Sequence, residues 1–141
     1  MDQRAQISAE YVLLLGIIFV IVLFMAVAIT NENEQNSVAT AAQLGASNAT
    51  ANIIFTNTAQ SPVKMTSVSM TSGSTIGSNI NLTIHFSRPV TDQQPIILSS
   101  IFNSLVAAGY KNTIISGNSV VVTSKTDIGN ITFHTYTITL G

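Results

Sequence analysis

Residues 11–29 are apolar, aromatic or glycine without exception. As a helix this run spans about 28 Å, close to the hydrocarbon thickness of a bilayer. It is too long for the apolar region of a secretory signal peptide, and no small-residue cleavage site follows it, so the helix is expected to be retained. Residues 30–36 turn polar and include Glu32 and Glu34; Val38, Ala41, Ala42, Leu44 and Ala49 then resume a thinner apolar stripe at near-helical spacing. This predicts a second, more polar half of the same helix, ending near Asn52, with Gly45 and the Asn and Thr content working against it.

Beyond Ala59 the period changes from helical to alternating. Ile80, Leu82, Ile84 and Phe86 alternate with Asn79, Asn81, Thr83 and His85, which predicts a strand with one dry and one wet face. Residues 63–70 make a poorer strand, 119–124 a Val-rich one, and 130–140 one rich in β-branched and aromatic residues. Ser116-Gly117-Asn118 and Asp127-Ile128-Gly129-Asn130 read as turns joining 113–115, the Val-rich strand and the last strand into an antiparallel sheet. Residues 95–108 read as a short helix, with Pro95 in its first turn, Ile97, Ile101 and Leu105 on one face, and Gly109 past its end. The expected fold is α+β: a long N-terminal helix, apolar in its first half, packed against a small antiparallel β-rich head with one short helix. The expected segments are 1–5, 6–52 and 60–141. A head of roughly eighty residues is small for an independent core without disulfides, so docking onto the long helix is expected to complete it.

Composition sharpens this picture. Only 8% of residues are charged, while Ser, Thr and Asn make up about a third of the chain. Such a surface is hydrated through neutral hydrogen-bonding groups and suits an extracellular setting. The net charge of −1, with no stripe of Lys and Arg, argues against a nucleic-acid partner. The chain has no cysteine, which removes disulfides, thiolate catalysis and thiolate-bound zinc.

Ahead of the apolar run, residues 1–5 carry Asp2, Arg4 and the α-amino group, a weakly positive start expected to stay cytoplasmic. Glu10 abuts the span. A carboxylate costs about 2.5 to 3.5 kcal/mol at a bilayer's centre and less near its interface. Glu10 therefore either has a partner to find or sits in the headgroup layer at a helix N-terminus, where the dipole favours an anion.

The stretch Gln6-Ile7-Ser8-Ala9-Glu10-Tyr11, following Arg4-Ala5 and running into Val12-Leu13-Leu14-Leu15-Gly16, resembles the processing motif of euryarchaeal type IV pilins, an archaeal family with a class III (prepilin-type) signal peptide. The resemblance covers about the first thirty residues. It departs from the usual pattern at Ala5, where glycine is common, and at Asp2, in a leader that is normally basic. It implies that a prepilin-type membrane aspartic peptidase cuts between Ala5 and Gln6, removing a leader of residues 1–5 and making Glu10 the fifth residue of the processed chain. It further implies a subunit held in the cytoplasmic membrane before assembly. That subunit would then polymerise with copies of itself into a cell-surface adhesion filament, with Gln6, Glu10 and Tyr11 at the assembly contact and Leu14, Ile18, Val22 and Met25 in the filament core. An archaellum subunit for motility and a single-span membrane anchor carrying an extracellular β-rich binding domain are the alternatives.

A helix apolar on every face exchanges lipid for identical helices at little hydrophobic cost, so burial alone does not drive extraction from the membrane. Glu10 supplies a bias if it pairs with the new α-amino group of Gln6 on a neighbouring subunit, unless Gln6 cyclises to pyroglutamate and loses that charge.

Little else in the chain suggests chemistry. His85, His134, Asp92 and Asp127 match no ligand or catalytic spacing, and both histidines read as solvated strand residues. No Gly-x-Ser-x-Gly elbow occurs, and the Gly- and Ser-rich residues 72–78 lack the ending of a phosphate-binding loop. No catalytic residue, cofactor or metal site is expected. The processed chain carries −3 before residue 60 (Glu10, Glu32, Glu34) and +2 after it (Lys64, Arg88, Lys111, Lys125 against Asp92, Asp127), a split open to head-to-stem contacts between subunits. As scattered pairs these charges are worth under about 1 kcal/mol each. Asn48, Asn81 and Asn130 head Asn-x-Thr sequons and are candidate N-glycan sites, in a number that chance alone would give.

Overall fold

The computed structural model describes residues 3–56, 61–71, 75, 77–125 and 132–141, with the backbone alone at 3–8, 125, 132 and 133. By its contacts the chain divides into two compact units, residues 1–37 and 38–141. The expected turn at 127–130, with Asp127 and the sequon at Asn130, lies outside the described residues, as does most of 72–78.

Helix α1 runs over Gln3–Thr56. It ends at Thr56, one turn beyond the Asn52 expected from composition. Ile53 explains the extension: it continues the buried stripe of Val38, Ala42, Ala46 and Ala49, so tertiary burial outweighs the poor helix propensity of the surrounding Asn and Thr. In the first unit the helix is exposed on every side from residue 9 to residue 30.

The second unit is α+β. It holds the last part of α1, from Val38 on, with strands β1 (Met65–Met70) and β2 (Asn79–Phe86), helix α2 (Gln94–Ala107) and strands β3 (Thr113–Ser116), β4 (Ser119–Lys125) and β5 (Thr132–Leu140). A 3-10 turn, Thr91–Gln93, leads into α2, and Pro95 in the first helical turn removes an N–H that would have had no helical partner. Gly117, at φ +57°, makes the two-residue turn between β3 and β4.

The strand order is β1-β2-β5-β4-β3. Three neighbouring pairs are antiparallel, but β2 and β5 run parallel, from Asn79↔Thr135 to Ile84↔Leu140. The sheet is therefore antiparallel-rich, as expected, with one parallel pair that the sequence did not indicate. The last strand does not simply extend the β3–β4 hairpin outward; it inserts between β4 and β2 and closes two half-sheets into one.

Alternation sets the two faces. Ile80, Leu82 and Ile84 of β2, Val120 and Val122 of β4, and Tyr136 and Ile138 of β5 are buried on one face, in one cluster with Ile97, Leu98, Ile101 and Leu105 of α2. Each such side chain contributes about 1.5–3 kcal/mol of burial. Val38, Ala41, Ala42, Ala46, Ala49 and Ile53 of α1 join the same cluster. The expectation that the head draws on the long helix is met here: the small residues of α1 allow close approach. At Gly45 an added Cβ would lie 2.6 Å from the Ile101 Cα and 2.8 Å from the Ser100 carbonyl oxygen, and the Ser100 hydroxyl donates to the Gly45 carbonyl at 2.8 Å. The opposite face of the sheet carries Ser69, Asn81, Thr83, Thr135, Thr137 and Thr139, with Thr83 and Thr139 joined hydroxyl to hydroxyl at 3.3 Å.

Candidate assembly surface

In the first unit the backbone is helical through Ala5 and Gln6, whose side chains lie outside the described ones. Glu10 and Tyr11 are exposed. Leu14, Ile18, Val22 and Met25 fall three or four residues apart, on one face, and are 48–64% exposed. Nothing distinguishes that face from the others, because Leu13, Phe19, Ile21, Leu23 and Phe24 are exposed to a similar degree. An apolar helix without a preferred side offers no single groove to a partner, and it suits lipid or a ring of identical neighbours equally well.

The apolar run reaches a mean hydropathy of 3.4 over its best 18-residue window, and none of that window is buried. Its far end is marked by Thr30, whose hydroxyl donates to the Ala26 carbonyl at 2.8 Å and so remains satisfied next to apolar surroundings. Just beyond, the Gln35 side-chain amide donates to Asn31 Oδ1 at 3.1 Å.

The two histidines do not meet. His85, half-buried on the outer face of the sheet, places Nε2 3.2 Å from the Ser69 hydroxyl. His134 departs from expectation: it is fully buried, with Nδ1 3.0 Å from the Ser78 hydroxyl and its ring edge-on to Tyr136 at 6.0 Å between centroids. Register parity accounts for this, since His134 shares the inward face of β5 with Tyr136 and Ile138. The alternation was present in the sequence and was outweighed by the polarity of the side chain. Asp92 is exposed in the 3-10 turn, and the described residues hold no group of three or more potential metal ligands.

Asn48 on α1 and Asn81 on β2 are both exposed, but the hydroxyls of their sequons are engaged. Thr50 donates to the Ser47 carbonyl at 2.9 Å, and Thr83 meets Thr139.

One residue was missed. Phe55 is 82% exposed at the end of α1, with Ile54 beside it at 38% and Leu44 three turns earlier at 57%. Helical spacing puts Leu44, Ala51 and Phe55 on one stripe, apart from the buried one. With the helix expected to stop near Asn52, Phe55 carried no signal; the run Ile53-Ile54-Phe55 was the available hint.

No protein-family model matches the chain, and neither a curated protein nor a solved structure is significantly similar to it.

Proposed function

We propose that the chain is a non-enzymatic structural subunit of an extracellular archaeal type IV pilus-like filament, polymerising through its N-terminal helix and serving surface adhesion. The observation that carries this reading is the joint presence of Gln6-Ile7-Ser8-Ala9-Glu10 and, directly after it, nineteen residues that are apolar and exposed on every side. Exposed Leu, Ile and Phe side chains each forgo about 1.5–3 kcal/mol in water, so the segment requires a cover. Lipid supplies it for the precursor in the cytoplasmic membrane, and copies of the same helix supply it for the processed subunit. Because the exchange is nearly neutral in hydrophobic energy, cleavage and the carboxylate of Glu10 can decide its direction. The partners are thus further copies of the chain and a prepilin-type membrane aspartic peptidase, with N-glycans at the sequons a further candidate.

The span by itself fits a second reading equally well, a membrane-anchored extracellular β-rich binding domain, because its length and hydropathy meet the requirement for an anchor. An archaellum subunit is the variant within the filament class. Intact mass of the protein from its native host, combined with electron microscopy of material sheared from the cells, separates these. The filament reading expects a chain beginning at Gln6 within thin filaments. A chain that still begins at Met1 and stays a lone membrane species would establish the anchored domain instead.

A further inference from the structure

Asn48 and Asn81 are alike in one respect: each asparagine is exposed, while the rest of its sequon is held by the fold. Asn48 lies within α1, eight residues before its end, with helical backbone on both sides. Two residues on, Thr50 is buried, and its hydroxyl donates to the Ser47 carbonyl at 2.9 Å. Asn81 lies in β2, which is paired with β1 on one side and β5 on the other. Its N–H donates to the Thr71 hydroxyl at 2.9 Å, its carbonyl accepts from the Thr71 N–H at 3.0 Å, and the Thr83 hydroxyl is engaged with Thr139.

An enzyme that reads a three-residue motif takes it as an extended peptide and supplies its own hydrogen bonds to the backbone. The helix at Asn48 and the ladder at Asn81 already hold those groups, so each element must open before its sequon can be read. Opening a core element costs up to the whole stability of the head. A sugar already carried on the exposed asparagine, by contrast, projects into solvent and leaves the fold intact. The unfolded chain is thus the substrate, and the folded chain tolerates a product it cannot itself form.

We propose that Asn48 receives its N-glycan on the unfolded chain, outside the cytoplasmic membrane, and that folding of the head then closes the sequon around the finished linkage. The inference rests on the extracellular setting of the proposed function and adds to it an order of events. In the transfer, Asn48 Nδ2 attacks the anomeric carbon of a lipid-phosphate-linked sugar. The new N–C bond forms as the C–O bond to phosphate breaks; the lipid phosphate leaves with the electron pair and the amide sheds one proton. Its surroundings favour Asn48 over Asn81. Leu44, about one turn before it, and Phe55, two turns after it, are 57% and 82% exposed on the same stripe, and the C–H face of a sugar ring gives such side chains apolar cover. Around Asn81 the sheet face carries Thr83, Thr137 and Ser69 and needs no cover.

Peptide mapping by mass spectrometry of the chain from its native host is expected to find a glycan on Asn48, lost in Asn48→Gln and kept in Thr50→Ser. A bare Asn48 overturns the proposal. The order of events is tested with full-length chain made in a host that lacks the transferase and then incubated with native-host membranes, which supply the enzyme and its lipid-linked sugar. Ile101→Asp puts a carboxylate at a fully buried position and keeps the head unfolded, which near-UV circular dichroism verifies. This variant is expected to gain sugar on Asn48 at least about tenfold faster than the folded parent. Equal labelling of the two, or none of the unfolded variant, overturns the order. Filaments of chains that begin at Gln6 with Asn48 bare defeat this proposal and leave the filament reading intact. A glycan on Asn48 of a chain that still begins at Met1 and forms no filament does the reverse.

Discussion

Gly45 of α1 lies directly against the backbone of α2, and the space a methyl group would need is already taken by Ser100 and Ile101. Backbone cannot step aside as a flexible side chain can, so the two helices must part. Gly45→Ala gains helix propensity on paper and is nonetheless expected to destabilise the head by about 1–3 kcal/mol. Urea unfolding of the full chain in detergent, followed by far-UV circular dichroism, measures this, and a variant as stable as the parent would show that the crossing is not tight. His134 gives a second lesson at this scale. A polar residue enters the core when strand parity sends it there and a partner, the Ser78 hydroxyl, receives its ring nitrogen.

Among the elements, the β3–β4 hairpin is the most locally determined. Ser116↔Ser119 closes it across Gly117 and Asn118, and Gly117 takes a left-handed φ that a β-branched side chain resists. Gly117→Val is expected to cost about 1–2 kcal/mol, and Gly117→Asn, which tolerates that region, well under half as much. The order of the two thermal midpoints is the readout, and equal midpoints would remove the turn as a determinant of the hairpin. At the edges of the sheet β1 carries a bulge between Met65 and Ser67 and β3 is only four residues long. Both features limit strand addition from outside.

In the proposed filament, the exposed apolar helix has to enter a polymer of defined register. Van der Waals packing between identical helices has no preferred axial offset when every face is alike, so a polar pair must set one. Under that proposal Glu10 is the candidate carboxylate, four residues from the proposed new terminus. Glu10→Gln, which keeps shape and removes charge, is expected to reduce filament number at least about tenfold while leaving insertion of the precursor in the membrane unchanged. Counting filaments per cell by electron microscopy alongside membrane fractionation tests both halves. Filaments at parental number would remove the ion pair from the mechanism.

The membrane-length segment, the second half of α1, the strand at Asn79–Phe86, the short helix and the Gly117 turn were all legible in the residues, because each depends on a local period or on the φ preference of one residue. The end of α1, the place of β5 and the burial of His134 were not, because each depends on groups distant in sequence. Ile53 holds α1 helical past its Asn-rich stretch only once the head is there to bury it. β5 lies parallel to β2 because the central gap between two half-sheets is the position that satisfies both of its edges, and no local pattern encodes which gap that is. The proposed assembly surface divides in the same way: the apolar segment and Glu10 follow from composition and order alone, whereas the exposure of Phe55 depends on the helix outlasting its propensity.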